Sequence, residues 1–332
     1  MECLAVNAIP EGSNWQYEPK WDGFRCLAFR DGDEIYLQSK AGQPLARYFP
    51  EIVNMLSALK AEKFVLDGEL VIPRDGQLSF DDLLQRIHPA ASRIAKLSKE
   101  TAASLLLFDL LVDARGRNLI HIALRERRKA LETFASEHLG NQGLYLSPAT
   151  EKRADVDRWF AMVGGALDGV IAKRADFAYR SGERSGAQKI KHLRTADCVV
   201  GGFRYSKDKT GVASILLGLY DDAGKLNHVG FSSGFQTAER RQLLAKFKPL
   251  IAGPGFTGNA PGGPSRWKQT EEPWEPLAPK IVVEIRFDHV SGGRFRHGTK
   301  VLRWRPDKAP QSCTIDQMLA PAAASPLVLV SR

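Results

Sequence analysis

Cysteine is scarce: Cys3, Cys26, Cys198 and Cys313 are the only four in 332 residues, and they lie far apart. No CxxC or Cys/His spacing is present, which argues against a structural zinc site, and a disulfide framework would be denser. Reduced, buried thiols are the expectation. Long apolar runs are also missing; none approaches the roughly 20 residues needed to span a bilayer. The first residues lack a basic region followed by a long apolar stretch, so no signal peptide is expected. There is no internal repeat and no low-complexity tract, which removes solenoids and disordered arrays. The seven histidines show no ligand spacing.

What is present is ordinary globular material, 43% hydrophobic and 26% charged. The length suggests two domains. Acidic residues are in deficit, 38 against 47 Lys and Arg, giving a formal charge of +9. Excess positive charge attracts polyanions and is screened by salt. Charge alone fits simple solubility as well as nucleic-acid binding.

Strand signals cover residues 15–40, with Asp31-Gly32-Asp33 as a turn. FVLDGELVI (64–72) and LLLFDLLV (105–112) are strongly apolar strands, the first interrupted at Asp67-Gly68-Glu69 and the second at Asp109. ALRERRKALETFASEHL (123–139) has the periodicity of an amphipathic helix, and its basic segment Arg125 to Lys129 reads as a solvated face. GVIAKR and QKIKHL are strands that carry lysines. After Thr195 the chain becomes β-rich with one helix, which suits a small OB-type barrel. Trp267 and Trp274, in a Gly/Pro-rich stretch, read as loop packing. The expected division is 1–194 and 195–332.

Charges recur inside strands that should be buried, where desolvation is costly without a partner. Lys20, Asp22 and Arg25 surround an Asp-Gly turn; Glu69, Asp109, Asp168 and Lys173 stand in or beside apolar strands. Lys189 and Lys191 alternate, so both point to one face. One shared polar cleft accounts for them together: cations for phosphates, carboxylates for a divalent metal, an aromatic for a base.

In chain order the motifs are Lys20-Trp-Asp-Gly-Phe-Arg25, Leu66-Asp-Gly-Glu-Leu70, Phe108-Asp109, Asp168-Gly-Val-Ile-Ala-Lys173, Lys189-Ile-Lys191 and Arg305-Pro-Asp-Lys308. This set resembles the covalent nucleotidyltransferases, most closely the short bacterial ATP-dependent DNA ligases, over nearly the whole chain. The resemblance implies an α+β fold. A nucleotidyltransferase domain with ATP-grasp-like antiparallel sheets and helices would be followed by an OB-fold domain. Two departures stand out: Asp168 replaces the usual Glu, and Lys40 the usual Arg of a Ser-Arg pair. A lysine there cannot offer a planar bidentate fork.

By resemblance, Lys20 is the nucleophile that takes AMP from ATP before AMP passes to nicked duplex DNA. Neutralising a lysine at pH 7 costs about 4–5 kcal/mol, and neighbouring cations and desolvation lower that cost. Glu18, Arg25, Glu69, Phe108, Lys173, Lys189 and Lys191 would bind the nucleotide, with Phe108 against adenine and Glu18 at its edge. Glu69 and Asp168 would hold Mg²⁺ (or Mn²⁺). Arg305, Asp307 and Lys308 would orient pyrophosphate. Lys40, Arg294, Arg296, Lys300 and Arg303 would touch DNA. The resemblance further implies a bacterial, cytoplasmic, nucleoid-associated monomer without membrane contact, working in DNA repair. A repair polymerase or an end-binding protein is the kind of partner it implies. RNA ligases and GTP-dependent capping guanylyltransferases share the chemistry, and an inactive nucleic-acid-binding scaffold is a reading from another class.

Overall fold

A computed structural model describes residues 1–140, 143–163, 167–262, 273–319 and 324–330, the side chains of 162 and 163 excepted. Trp267 lies outside the described residues; Trp274 packs on Phe256 with ring centroids 5.5 Å apart. The chain forms two compact units, one built on Met1–His192 and the other on Leu193–Leu319.

Two sheets make the first unit. One has the order Leu4–Ala5, Ala187–Lys191, Gly169–Arg174, Trp15–Pro19. The other has the order Glu34–Ser39, Phe24–Asp31, Lys63–Val71, Ser104–Val112, Leu144–Leu146. The four-stranded sheet has two unlike faces, because side chains alternate along each strand. Tyr17, Val170, Ala172 and Ile190 turn one way and pack with Val156 and Trp159 of the helix Arg153–Val163. The register places Glu18 opposite Ile171, Lys189 opposite Ile171, and Lys191 opposite Gly169. The lysines therefore share the other face.

The five-stranded sheet is divided in the same manner. Cys26, Ala28, Leu66, Leu70, Leu105 and Leu107 enter a core with Leu131 and Phe134. The latter two belong to the helix Leu124–His138, whose period of three to four residues sets its buried stripe. Neither Asp67-Gly68-Glu69 nor Asp109 interrupts its strand; Lys63–Val71 and Ser104–Val112 run through. What occurs instead is a bulge. Asp67 faces Asp109 while Gly68 faces Leu107, so Phe108 is the extra residue and is re-aimed out of the core.

The basic segment of the helix is a solvated face only in part: Arg125 and Lys129 are exposed, whereas Arg127 and Arg128 turn inward. Arg127 is fully buried and grips Asp109 through both oxygens, at 2.8 and 3.0 Å. Arg128 donates to the Ser147 carbonyl at 2.8 Å. The division at 194/195 assigns the last residues to the second unit. Residues 324–330 instead belong with the first, because Val330 joins the apolar cluster of Trp21, Val71 and Leu106.

In the second unit the strand order is Leu226–Ser233, Val212–Tyr220, Arg194–Tyr205, Val282–Phe287, Lys300–Trp304. Ser232 bridges to Thr299, its hydroxyl donating to the Thr299 carbonyl at 2.8 Å, so the two ends of the sheet meet. This is an OB-like barrel, with the helix Thr237–Phe247 packed on it through Leu243 and Phe247.

Candidate active site

Residues Lys20 to Gly23 do not close a hairpin. They carry the chain from Trp15–Pro19 in one sheet to Phe24–Asp31 in the other. Lys20 is tied at its backbone, its N–H donating to the Gly169 carbonyl at 2.9 Å. Trp21 is buried, with its indole N–H on the Ser147 hydroxyl at 2.8 Å. Gly23 is required by close approach: a Cβ there would lie 2.1 Å from the Leu70 carbonyl oxygen. Gly169 is required twice over, by a φ of 145° and by the Ile190 carbonyl 2.0 Å from where a Cβ would stand.

A pocket lies between the two sheets of this unit. Glu18, Lys20, Arg25, Glu69, Phe108 and Lys173 line it, with Lys40 and Lys189 at its walls. Of the residues expected from the sequence to bind nucleotide, Glu18, Arg25, Glu69, Phe108, Lys173 and Lys189 line this pocket with Lys20, and so does Lys40, expected instead at DNA. Asp168, nearly buried, pairs with the Lys20 amine. Lys191 lies near enough to act on Lys20 by its charge. Lys173 reaches Glu18 at 2.7 Å and sits 4.4 Å from the centre of the Phe108 ring. The Lys40 amine is mostly exposed, 3.5 Å from a Glu2 oxygen.

The electrostatics are uneven. Burial holds the Lys20 amine below its ordinary value; Glu69 and Asp22 oppose this, and Lys191 and Lys189 add to it. Burial pushes Glu69 up to about 8, against the pull of Lys20 and Arg25. Asp67 is buried too, yet the charge of Arg25 and its hydrogen bonds hold it below the usual carboxylate range.

Several functional partners carried no signal in the sequence reading. Asp67 holds the Arg25 guanidinium by two bonds, at 3.0 and 2.6 Å. Tyr179 closes the triangle, donating to Asp67 at 2.9 Å and accepting from Arg25 at 3.1 Å. In the second unit Asp197 accepts from Arg305 at 3.0 and 3.1 Å, and Lys308 lies 3.2 Å from it. Arg305 also grips Asp307 at 2.8 Å. Each partner is remote in sequence from the residue it holds, or sits in a motif as an unremarkable acid.

The residues expected to touch DNA are placed as follows in the second unit. Arg303 is on Glu284 at 2.5 Å and Arg294 on the His228 ring at 2.6 Å. Lys300 is exposed at the start of its strand, and Arg296 follows the short strand Arg294–Phe295.

An amine with weakened proton affinity, ringed by cations, next to an aromatic face and acidic groups, suits a phosphorylated aromatic ligand and a covalent bond to it. Fold and pocket together define a nucleotidyltransferase.

The comparisons narrow the class. The family described as ATP dependent DNA ligase domain matches residues 5–191, and its C terminal region family matches 208–308. DNA ligase C1 of Mycolicibacterium smegmatis is 46% identical, covering 95% of this chain and 92% of that protein. DNA ligase C of Mycobacterium tuberculosis is 42% identical, covering 98% and 94%. A solved Lig E DNA ligase superposes with a TM-score of 0.55 at 16% identity, covering 92% of this chain and all of that one; it shows the fold alone. The chain belongs to the ATP-dependent DNA ligase family. Its activity is ATP-dependent joining of DNA, and the RNA-ligase, capping and scaffold readings are not favoured.

Proposed function

We propose that Lys20 is the nucleophile and that the substrate is nicked duplex DNA, sealed in the course of repair. The observation that carries this is the Lys20 amine itself: poorly solvated, within reach of the charges of Glu69, Lys189 and Lys191, in a pocket that Phe108 and Lys173 also line. The amine loses its proton, its lone pair attacks the α-phosphorus of ATP, and the bond to pyrophosphate breaks. AMP then passes to the 5′-phosphate of the nick, and the 3′-hydroxyl displaces it. Asp168, paired with the amine at rest, would relay that proton to solvent and be left as a carboxylate. Lys173, Lys189 and Lys191 offset charge on the phosphates. Phe108 offers its ring to the base and Glu18 an acceptor to the base edge. Arg305, Asp307 and Lys308 serve the leaving pyrophosphate.

A divalent ion, Mg²⁺ or Mn²⁺, fits this donor set. The Glu69 carboxylate has no hydrogen bond or ion pair among the described residues, and burial already penalises its negative charge. Glu69, with Asp168 once released by Lys20, would hold the ion, which would supply positive charge to the phosphates. No helix among the described residues is long and apolar enough to cross a membrane; a monomer working in the cytoplasm is the form we propose.

The test uses radiolabelled ATP, GTP or NAD⁺. Label is expected on the wild-type protein from ATP, absent in Lys20→Ala, and chased off by nicked DNA with sealing. Label retained in Lys20→Ala would place the nucleophile elsewhere.

A further inference from the structure

Glu18 is an acceptor wall of the pocket, and both of its oxygens are engaged. Gln16 donates its side-chain amide to Oε1 at 2.8 Å, while the Lys173 amine lies 2.7 Å from Oε2. Gln16 stands two residues before Glu18, on the same face of the strand, and directly opposite Lys173 in the register. It is only 5% exposed. Glu18 and Lys173 line the pocket and Gln16 stands behind them. A buried amide is costly without a hydrogen bond, and this one spends its donor on Glu18.

We propose that Gln16 is a positioning residue that sets base selectivity by fixing the Glu18 carboxylate. The inference rests on the reading of this pocket as the nucleotide site. A carboxylate free to turn about its last torsion can meet a base edge in two ways. It can offer two oxygens side by side to adjacent N–H groups, as guanine presents, or one oxygen to a single exocyclic amine, as adenine presents. Lys173 alone does not hold that torsion. Its amine also faces the Phe108 ring at 4.4 Å, and an arriving phosphate or ribose competes for it. Gln16 has no such competitor. With its donor on Oε1, the plane of the carboxylate is held and its remaining acceptor positions point one way. A base that aims an oxygen at Glu18 then leaves two acceptors facing each other, and unpaired polar groups are a strong source of rejection.

The experiment compares wild type with Gln16→Leu, which removes the donor, and Gln16→Glu, which replaces it with an acceptor of the same shape. Steady-state pyrophosphate release is followed with ATP and with GTP in the presence of nicked duplex DNA, which discharges the adduct and regenerates the lysine; the adduct formed without DNA is weighed by intact mass. In Gln16→Leu the KM for ATP should rise about tenfold and the ATP-over-GTP ratio of kcat/KM should fall about tenfold, with kcat within about threefold. Gln16→Glu should lose more of the ratio than Gln16→Leu. An unchanged ratio overturns the inference, and so does a fall in kcat and melting temperature at constant ratio, which is what a packing role would produce. Wild-type protein that forms no adduct with ATP overturns the site reading and the inference together; an adduct with an unmoved ratio overturns the inference alone.

Discussion

Lys20 and Glu69 sit side by side with opposite requirements. The amine must shed a proton to react, and burial with Lys191 and Lys189 nearby lowers its hold on that proton. In single-turnover assays the rate of adduct formation should rise with pH and level off below the ordinary lysine value of about 10.4. Removing a cation by Lys191→Ala should move that midpoint upward; a midpoint that stays put would show that the cations do not tune the amine. Glu69 is raised to about 8 in the folded protein, above its ordinary value of about 4.3. Its protonated form is the one the fold prefers. The stability it contributes is therefore whole below the unfolded value and is lost as pH rises through 8. Glu69→Gln should melt higher than wild type at pH 9 and no differently near pH 4.5, while losing ligase activity. Equal melting differences at both pH values would mean that the carboxylate is not desolvated.

The strand Ser104–Val112 illustrates how an element divides its residues between stability and site. Leu107 is fully buried, whereas the bulge turns its neighbour Phe108 to the pocket. Leu107→Ala should cost about 2–5 kcal/mol in urea unfolding and leave the KM for ATP in place. Phe108→Ala should do the reverse, raising KM with little change in unfolding. A shared phenotype would argue against the bulge as the device that separates them. On the same strand, Asp109 is held by the buried Arg127 of the adjoining helix. Arg127→Leu should destabilise by about 3–5 kcal/mol, because it leaves an uncompensated buried charge, and adding Asp109→Leu should recover most of the loss. A double variant as unstable as the single one would assign the cost to packing instead.

At the scale of the molecule, the net charge of +9 does not measure the cations open to DNA, because some are held by acids of their own unit. Arg303 is on Glu284, so it is less open to a DNA phosphate than Lys300, which is exposed at the start of its strand. Affinity for nicked duplex, followed by fluorescence anisotropy, should fall steeply between 50 and 200 mM salt. Lys300→Ala should flatten the slope of log affinity against log salt by about one, uniformly across sequences. A slope indistinguishable from wild type would remove Lys300 from the interface.

The sequence by itself determined the reaction class, the order of the motifs and the residues that meet in the pocket. Each of these is carried locally: by charges set in apolar strands, by glycines at close approaches, by the two-residue alternation of Lys189 and Lys191. The β-rich barrel of the second unit was legible for the same reason. Tertiary structure alone decided that Lys20 to Gly23 bridge two sheets, that Arg127 is buried, and that Asp67 with Tyr179 holds Arg25. It also decided that residues 324–330 return to the first unit. Those outcomes depend on partners tens of residues away, and the charge of a side chain does not reveal which distant group will compensate it once water is excluded.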